Sequence, residues 1–404
     1  MPNKLALRLS VVAPSITLAM NAKAQELRAQ GVDVFAFGVG EPDFEPPQHV
    51  LEFAKKAIDS GVSKYTAVTG VPALKKAIVE ATEKRRGFSC KPENICVGVG
   101  AKHVLFNLAV ALYEPGDEVI IPAPYWVSYP EQVRIVGATP VIVETTEESG
   151  WKMSPAQLQN ALTPKTKAII LCTPSNPTGA AYAEGEMKAL LDVLANHDCF
   201  IIVDEIYADL VYDGFKHASA AAIAPQLQDR IITIDGVSKS FAMTGWRIGW
   251  AIAPPHIIKA LDLVQGQSTT NPASISQQAA VAALTGPLDD LAAMRATFQK
   301  RRDVMVAGLN SVPGIRCRTP VGAFYAFADV RGLYGLSYPK KGPGGKIEND
   351  EDVAFWLLEA ARVAAVPGGG FGAPGYVRFS YAHAEARIMA AIEAMKAAVQ
   401  AAKT

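Results

Sequence analysis

The chain has 404 residues, of which 50% are hydrophobic and 19% are charged, and its 39 basic residues balance its 39 acidic residues. This length gives room for about two domains with a substantial core, and the composition is not that of a disordered polypeptide. Zero net charge without long runs of like charge provides no electrostatic footprint for nucleic acid or a membrane surface, so the expected partners are small molecules.

The five cysteines are few, odd in number and without C-x-x-C spacing. They argue against a disulfide framework and against a structural zinc site, so no metal is predicted and a reducing, cytoplasmic location is expected. Polar residues and Pro14 interrupt the apolar N-terminus, which does not resemble a signal peptide. No stretch approaches the roughly 18 apolar residues of a membrane span.

From about residue 50, helical segments alternate with short β-branched runs. The runs are ICVGVG (95–100), EVIIPAP (118–124), AIILCTP (168–174), CFIIVDE (199–205) and RIITIDG (230–236). Nearly continuous apolar strands that alternate with amphipathic helices predict a mostly parallel sheet covered by helices on both faces. The middle of the chain is therefore expected to be one large α/β domain.

The pattern changes near residue 290. LAAMRATFQKRRDVMVAGLN (291–310) predicts a long helix, GAFYAFADV (322–330) a strand and EDVAFWLLEAARVAAV (351–366) a further helix. YPKKGPGGKIEND (338–350) has the composition of a loop. Fewer and more mixed elements predict a smaller α+β domain in this part.

Three parts are therefore expected along the chain. They are an N-terminal segment over 1–47 that packs with the small domain, a large domain over 48–289 and a small C-terminal domain over 290–404.

Unusual polar groups follow the predicted strands. Ligands of open parallel sheets bind beyond the carboxyl ends of the strands, so a site is expected there. These ends carry Gly100-Ala101-Lys102, Tyr125-Trp126, Ser175-Asn176, Asp204-Glu205-Ile206-Tyr207 and Ser238-Lys239. An amide, an aromatic face, a carboxylate, a phenol and an amine together predict a site for a ring-shaped, charged cofactor.

Each of these groups also has an ordinary structural interpretation. A strand-end aspartate is often a helix cap, Asn-Pro-x-Gly alone is a turn, and most lysines after a strand lie on the surface. The GVG of residues 98–100 could belong to a dinucleotide-binding fold. The complete G-x-G-x-x-G is absent, however, and no matching acidic residue follows a second strand, which disfavours a dehydrogenase.

Seven motifs in order give these residues a common context. They are GEPDF (40–44), KYT (64–66), PYW (124–126), PSNPTG (174–179), DEIY (204–207), SKSFAMTGWRIGW (238–250) and YVRFSYA (376–382). Along nearly the whole chain they resemble fold-type I pyridoxal-phosphate enzymes, specifically class I aminotransferases of the aspartate aminotransferase family. The resemblance implies an α/β fold with a large and a small domain, pyridoxal 5'-phosphate (PLP) as cofactor, and ping-pong transfer of amino groups between amino acids and 2-keto acids.

The resemblance implies roles for the residues around the cofactor ring. Lys239 would form a Schiff base with the aldehyde and, when freed, act as general base. Asp204 would face the pyridine nitrogen, while Tyr207 and Asn176 would hydrogen-bond the 3-oxygen. Trp126 would stack on the ring.

The cofactor phosphate is expected at a helix N-terminus. The turn of Gly100, Ala101 and Lys102 would supply the backbone amides, and Arg247 would neutralise the charge. Many relatives carry a phosphate-binding serine three residues before the lysine, whereas this chain has Gly236 at that position. Whether Ser238 takes over that contact therefore stays open.

The resemblance also implies a substrate site and a partner. Arg378 would form a two-pronged pair with the α-carboxylate, which lysine cannot reproduce, and Gly40 would let the backbone approach the same group. Trp126 and Asn176 would contact the substrate as well. Tyr65 would reach the phosphate of the neighbouring subunit, which implies a homodimer with shared active sites.

Two features resemble the I-beta subgroup of this family. Lys102 matches the lysine with which that subgroup binds the distal carboxylate, and PSIT (14–17) suggests that Ser15 and Thr17 help to bind it. Plain contact of Lys102 with phosphate or solvent is the alternative. Aspartate or glutamate is the expected amino donor, with 2-oxoglutarate or oxaloacetate as acceptor. Members of the subgroup also transaminate prephenate, and one sequence does not separate these substrates.

Other functions stay open at this point. An aromatic amino acid aminotransferase, or a PLP enzyme of the same fold such as a Cβ–S lyase or a cyclopropane-forming synthase, would share most of these motifs. A ligand-sensing relative fused to a DNA-binding domain is disfavoured, because the enzyme-like region fills the sequence and leaves no room for a helix-turn-helix domain.

Overall fold

The computed structural model describes residues 5–14 and 16–403. The strands are β1 (Phe35–Ala36), β2 (Ile95–Val99), β3 (Glu118–Ala123), β4 (Thr139–Glu144), β5 (Thr166–Cys172), β6 (Phe200–Asp204), β7 (Ile231–Gly236), β8 (Ile248–Ile252), β9 (Arg316–Cys317), β10 (Tyr325–Asp329), β11 (Val363–Ala364), β12 (Val366–Pro367) and β13 (Tyr376–Ser380). The α-helices are α1 (Ile16–Ala29), α2 (Gln48–Asp59), α3 (Pro72–Arg86), α4 (Ala101–Leu112), α5 (Ser128–Ile135), α6 (Pro155–Ala161), α7 (Glu184–Leu194), α8 (Ala220–Ile223), α9 (Pro255–Gly266), α10 (Ser274–Thr285), α11 (Asp289–Asn310), α12 (Asp350–Ala360) and α13 (Glu385–Ala401). Short 3₁₀ helices lie at Leu7–Val11, Pro92–Asn94, Pro225–Leu227, Thr244–Trp246, Arg331–Leu333, Pro339–Lys341 and Gly368–Phe371.

The largest sheet of the described residues has seven strands in the order β2-β8-β7-β6-β5-β3-β4. The strands from β4 to β7 pair in parallel, whereas β8 runs antiparallel to both β2 and β7. The predicted mostly parallel α/β sheet is confirmed. The strand runs predicted from the sequence did not include β4 or β8. Gly249 lets β8 pass the start of α4, since a side chain there would collide with the Ala101 amide.

Both faces of this sheet are buried in separate hydrophobic clusters. On β5, Ile169 and Leu171 belong to one cluster, while Ala168 and Ile170 belong to the other. Successive side chains of a strand point to opposite faces, so a continuous apolar run is what a sheet covered on both sides requires. The carboxyl ends of these strands stay free of covering helices and are available for a site.

A second, antiparallel sheet has the order β12-β13-β10-β9. It packs with α11 and α13 in a third cluster that includes Phe298, Met305 and Ile388. The N-terminal segment contacts this part, since β1 pairs with β11 and Met20 shares a cluster with Leu358. The division into a segment over 1–47 that packs with the small domain, a large domain over 48–289 and a small domain over 290–404 stays a prediction.

The helix predicted over 351–366 was too long. α12 ends at Ala360, Arg362 adopts a positive φ of 57°, and β11 and β12 follow. The β-branched residues Val363 and Val366 pack better on a pleated strand than in a helix. Pairing with β1 and β13, which lie far away in the sequence, decides the conformation. None of the helices in the described part of the chain is long and apolar enough to cross a membrane.

Candidate active site

The carboxyl ends of the parallel strands border a cavity of about 500 Å³. The turn before α4, the ends of β6 and β7, the loop before β8 and strand β13 contribute its walls. The predicted site residues that line it are Thr17, Gly40, Ala101, Lys102, Trp126, Asn176, Asp204, Tyr207, Ser238, Lys239, Arg247 and Arg378. Residues spread over most of the chain are thus brought to one place.

Lys239 follows β7 and points its amine into this cavity. Nζ donates a hydrogen bond of 2.6 Å to the Gly40 carbonyl and lies 5.9 Å from the centroid of the Tyr207 ring. Burial, together with the positive charges of Arg247 and Arg378, lowers the pKa of Lys239 to about 8 although Glu41 opposes the shift. Near neutral pH, more of this amine is therefore uncharged than in an ordinary exposed lysine, which favours a role as nucleophile or general base.

Asp204 ends β6 and is only 4% exposed. Its carboxylate accepts hydrogen bonds from the Tyr129 hydroxyl at 2.7 Å and from the Ile206 amide at 3.2 Å. Burial raises the pKa of Asp204 to about 6, and these two hydrogen bonds limit the rise. A cationic group brought into the cavity next to this carboxylate would favour its charged form and gain a strong partner.

We expect the substitution Tyr129→Phe to raise the pKa of Asp204 further. A hydrogen bond to a charged group is worth about 1.5–3 kcal/mol, so the loss corresponds to about one pKa unit or more. The measurement is a ¹³C NMR titration of the labelled Asp204 carboxyl in the cofactor-free protein. Tyr113→Phe, which removes a buried hydroxyl from the same hydrophobic cluster, is the control. An unchanged Asp204 titration in Tyr129→Phe would contradict the assignment.

Arg378 lies in the middle strand β13 and is 2% exposed. Its two terminal nitrogens donate to Asn176 Oδ1 and to the Gly38 carbonyl, both at 2.7 Å, and its guanidinium stacks 4.5 Å from the centroid of the Tyr325 ring. Among the described residues, Nε has no hydrogen-bond partner. The two hydrogen bonds of this buried cation go to neutral oxygens, so an anion in the cavity would complete its environment.

A helix N-terminus and a cation meet at the other end of the cavity. Gly100, with φ 81°, turns the chain into α4, and a side chain there would lie 2.7 Å from Arg247 Nη2. Arg247 itself adopts a positive φ of 56° and donates to the Thr244 carbonyl at 2.9 Å. Free backbone amides next to a guanidinium form a favourable place for a phosphate group. Gly100 thus shapes this turn without itself lining the cavity.

Lys102 and Trp126 lie together at the cavity wall. Lys102 Nζ is 4.9 Å from the centroid of the Trp126 ring, and burial together with Arg247 lowers the pKa of Lys102. Thr17 on α1 also lines the cavity, and its buried hydroxyl has no hydrogen-bond partner among the described residues. A lysine and an unpaired hydroxyl that line the same cavity are suited to binding a carboxylate.

Besides Gly100, one predicted site residue in the described part of the chain does not line this cavity. Tyr65 is 91% exposed on the loop before α3, as expected for a residue predicted to act in a neighbouring subunit, and that role stays a prediction. Ser15 lies outside the described residues. Ser238 does line the cavity, and its phosphate contact likewise stays a prediction.

Sequence reasoning missed several residues that complete the site. The Tyr207 and Tyr325 hydroxyls lie 2.7 Å apart, and Tyr129 binds Asp204. Glu41, which accepts a hydrogen bond from Thr244, also borders the cavity. Glu41 lies in the quoted GEPDF motif, but the two tyrosines carry only the signal of aromatic residues near a strand or helix terminus.

Comparison with known proteins agrees with this geometry. The family model of aminotransferase class I and II matches residues 32–395. An aspartate/prephenate aminotransferase from Cereibacter sphaeroides is 49% identical over 93% of this chain and 94% of its own length. An aspartate aminotransferase from Geobacillus stearothermophilus is 47% identical over 96% of this chain and 97% of its own length.

Solved structures extend the similarity to the whole fold. The aspartate aminotransferase from Rhizobium meliloti superposes with a TM-score of 0.94 at 44% identity, over 98% of this chain and 99% of that one. The aspartate aminotransferase from Thermus thermophilus with maleate gives a TM-score of 0.91 at 41% identity, over 98% and 100% of the two chains. The fold-type I architecture predicted from the sequence is confirmed, and the chain belongs to the class I and II aminotransferase family.

Proposed function

We propose that the protein is a PLP-dependent aspartate aminotransferase that moves the amino group of L-aspartate or L-glutamate to 2-oxoglutarate or oxaloacetate. The observation that carries the proposal is the meeting of an amine of lowered pKa, a buried carboxylate and a buried guanidinium around one cavity. They are Lys239, Asp204 and Arg378. The names of the relatives from Cereibacter sphaeroides and Geobacillus stearothermophilus support the same activity.

The cavity fits the proposed cofactor. Asp204 offers a buried carboxylate to a protonated pyridine nitrogen, and Trp126 offers a flat face to the ring. The turn at Gly100 and the guanidinium of Arg247 form a cradle suited to the phosphate. Lys239 would hold the aldehyde carbon. The cavity thus offers a partner for each of the four parts of PLP, which are the pyridine nitrogen, the ring face, the phosphate and the aldehyde.

When bound, PLP supplies an aldehyde that accepts an amino group and a ring that withdraws electrons from the substrate's α-carbon. Arg378 fixes the substrate by its α-carboxylate, with Asn176 and Tyr325 holding the guanidinium in place. Lys239 Nζ would take the proton from the substrate's α-carbon and pass it to the aldehyde carbon of the cofactor, and a pKa of about 8 suits both steps. The same residues serve both halves of a ping-pong reaction.

The distal carboxylate of the substrate is the proposed partner of Lys102 and Thr17. Lys102 contributes an amine to the cavity wall, and the Thr17 hydroxyl is buried there without a partner among the described residues. The Thermus thermophilus relative was solved with maleate, a four-carbon dicarboxylate. Prephenate, which also carries two carboxylates, is a second candidate substrate because the Cereibacter sphaeroides relative is named for it.

A substrate panel on the purified protein tests the proposal. We expect aspartate and glutamate to react as donors with 2-oxoglutarate and oxaloacetate as acceptors. Prephenate is included in the panel as a third acceptor with either donor. A strong preference for aromatic donors would favour an aromatic aminotransferase. Release of pyruvate and ammonia from a single substrate without a keto-acid acceptor would favour a Cβ–S lyase.

We expect Lys102→Met to weaken dicarboxylate substrates selectively. Loss of an interaction with a charged group costs about 1.5–3 kcal/mol, so KM for aspartate should rise about tenfold or more, while phenylalanine turnover changes little. The measurement is a comparison of KM for the two donors in wild-type and variant protein. Lys75→Met, at a half-buried lysine on α3, is the matched control. An equal effect on both donors would contradict the role of Lys102.

The proposal includes a homodimer in which Tyr65 of each subunit completes the site of the other. The exposure of Tyr65, together with apolar side chains on the surface at Leu7, Leu18 and Leu263, supports burial against a partner copy. A cytoplasmic location also stays a prediction, based on the small number of unpaired cysteines.

A further inference from the structure

A buried cluster of charges lies behind the active site, outside the cavity. Its centre is Arg86, the last residue of α3, which is 8% exposed. Arg86 donates to both oxygens of Asp209 at 2.9 and 3.1 Å and to Asp235 Oδ2 at 2.7 and 3.2 Å. Its Nε also lies 3.8 Å from Glu205 Oε2. One guanidinium thus contacts three carboxylates from two different segments of the chain.

Those carboxylates are close neighbours of proposed catalytic residues in the sequence. Glu205 directly follows Asp204, and Asp209 is two residues after Tyr207. Asp209 Oδ2 also accepts a hydrogen bond of 2.7 Å from the hydroxyl of Ser240, the residue after Lys239. The loops that carry Asp204, Tyr207 and Lys239 are therefore connected through this cluster.

The loop before Lys239 is held by the same cluster. Asp235 Oδ1 accepts a hydrogen bond of 2.7 Å from the Gly236 amide at the end of β7, while Oδ2 faces Arg86. Gly236 leaves no room for a side chain, because a Cβ there would lie 2.9 Å from the Ile248 carbonyl and 3.1 Å from Ile206. The chain path from β7 to Lys239 is thus fixed by packing on one side and by the cluster on the other.

The pKa shifts of the three carboxylates differ: burial prevails at Asp235 and raises its pKa despite Arg86, whereas the neighbouring cations prevail at Asp209 and Glu205. Burial raises the pKa of Asp209, but Arg86 and Arg85 outweigh burial and hold that pKa well below its usual value. Burial also raises the pKa of Glu205, yet His217, at 3.2 Å, and Arg86 hold it below its usual value. Removal of Arg86 would leave Asp235 without its hydrogen-bonded cation, whereas Asp209 would keep Arg85 and Glu205 would keep His217.

We propose that Arg86 is a positioning residue of the aminotransferase, which sets the relative position of Lys239, Asp204 and Tyr207 through Asp209, Asp235 and Glu205. This inference rests on the proposed function, and Arg86 acts only through these partners. The planar guanidinium can serve two carboxylates at once, whereas a lysine offers a single point charge. Arg86→Lys therefore keeps the charge but loses the geometry.

The test compares Arg86→Lys and Ser240→Ala with the wild-type holoenzyme. We expect Arg86→Lys to lower kcat by up to about 100-fold, because small misplacements of reacting groups are costly, while KM for aspartate changes less than threefold since Arg378 and Lys102 are untouched. The equilibrium dissociation constant of PLP should rise about tenfold or more. Ser240→Ala leaves no buried cation unpaired and should lower kcat about three- to tenfold. The double variant should have a kcat little lower than that of Arg86→Lys alone, because both substitutions act through Asp209.

Arg302→Lys is the matched control. Arg302 is likewise buried and bonded to two carboxylates, Asp213 and Asp303, but it lies on α11 and does not line the cavity. The variant Arg302→Lys should lower the melting temperature, as Arg86→Lys does. Its kcat and its PLP affinity, however, should stay within twofold of wild type. The proposal is overturned if Arg86→Lys and Ser240→Ala both keep kcat and PLP affinity within twofold, or if Arg302→Lys lowers them as much. PLP affinity reports on the cluster even if the wild-type protein proves not to transaminate aspartate, an outcome that would count against the proposed function alone.

Discussion

Replacement of Lys239 by alanine is expected to reduce transamination by about 10⁴-fold, the upper range for removal of a general base. The variant loses both the amine that would hold the cofactor and the group that moves the α-proton. Lys239→Arg should be no better, because a guanidinium stays charged at all accessible pH values. The measurement is the initial rate with aspartate and 2-oxoglutarate at saturating PLP.

Lys75→Ala is the control for this variant. Lys75 is a half-buried lysine whose pKa burial also lowers, but it lies on α3 outside the cavity. Its replacement should leave the rate within about threefold of wild type, in the range of ordinary substitutions away from a site. Near wild-type activity of Lys239→Ala would show that another residue performs the chemistry.

Replacement of Arg378 by lysine is expected to lower kcat/KM for aspartate by about 10²-fold or more. Truncation or replacement of one member of a buried charge pair costs about 2–5 kcal/mol, and lysine cannot form the two-pronged pair. Lysine would also lose the hydrogen bonds to Asn176 and Gly38 that hold the guanidinium against Tyr325. Arg378→Ala should be worse, because it leaves a cavity as well.

The effect of Arg378 variants should extend to inhibitor binding. The dissociation constant of maleate, measured by its effect on the absorption of bound PLP, should rise in parallel with KM. Arg331→Lys, at a half-exposed arginine paired with Asp329, serves as control. A large rise in KM for Arg331→Lys, or an unchanged maleate affinity in Arg378→Lys, would be inconsistent with the assigned role.

The sequence predicted the fold best at strands whose two faces are both buried. β5 and β6 are buried on both faces and read as unbroken apolar runs, so their ends and the groups that follow them could be predicted. Asp204 was found in this way, because it directly follows such a run. The motif context then identified Lys239 and Arg378, which periodicity alone would have left as ordinary polar residues.

The rest depends on contacts between distant segments. Tyr129 binds Asp204 across 75 residues of sequence, and the Tyr207 hydroxyl meets Tyr325 across 118. No local sequence pattern predicts such a pairing. The end of α12 was misplaced for the same reason, because β11 and β12 form only when their partner strands are present. The partner proposed for Tyr65 would lie in a second copy of the chain, which the pattern of one sequence cannot place.

The central claim is that the amine of Lys239 forms the covalent link to PLP. Borohydride reduction of the PLP-loaded protein, followed by proteolysis and peptide mass spectrometry, locates that link directly. We predict one phosphopyridoxyl adduct on the peptide that contains residues 238–250, and none in Lys239→Ala. An adduct at another lysine of the cavity, such as Lys102, or a protein that takes up no PLP, would contradict the account.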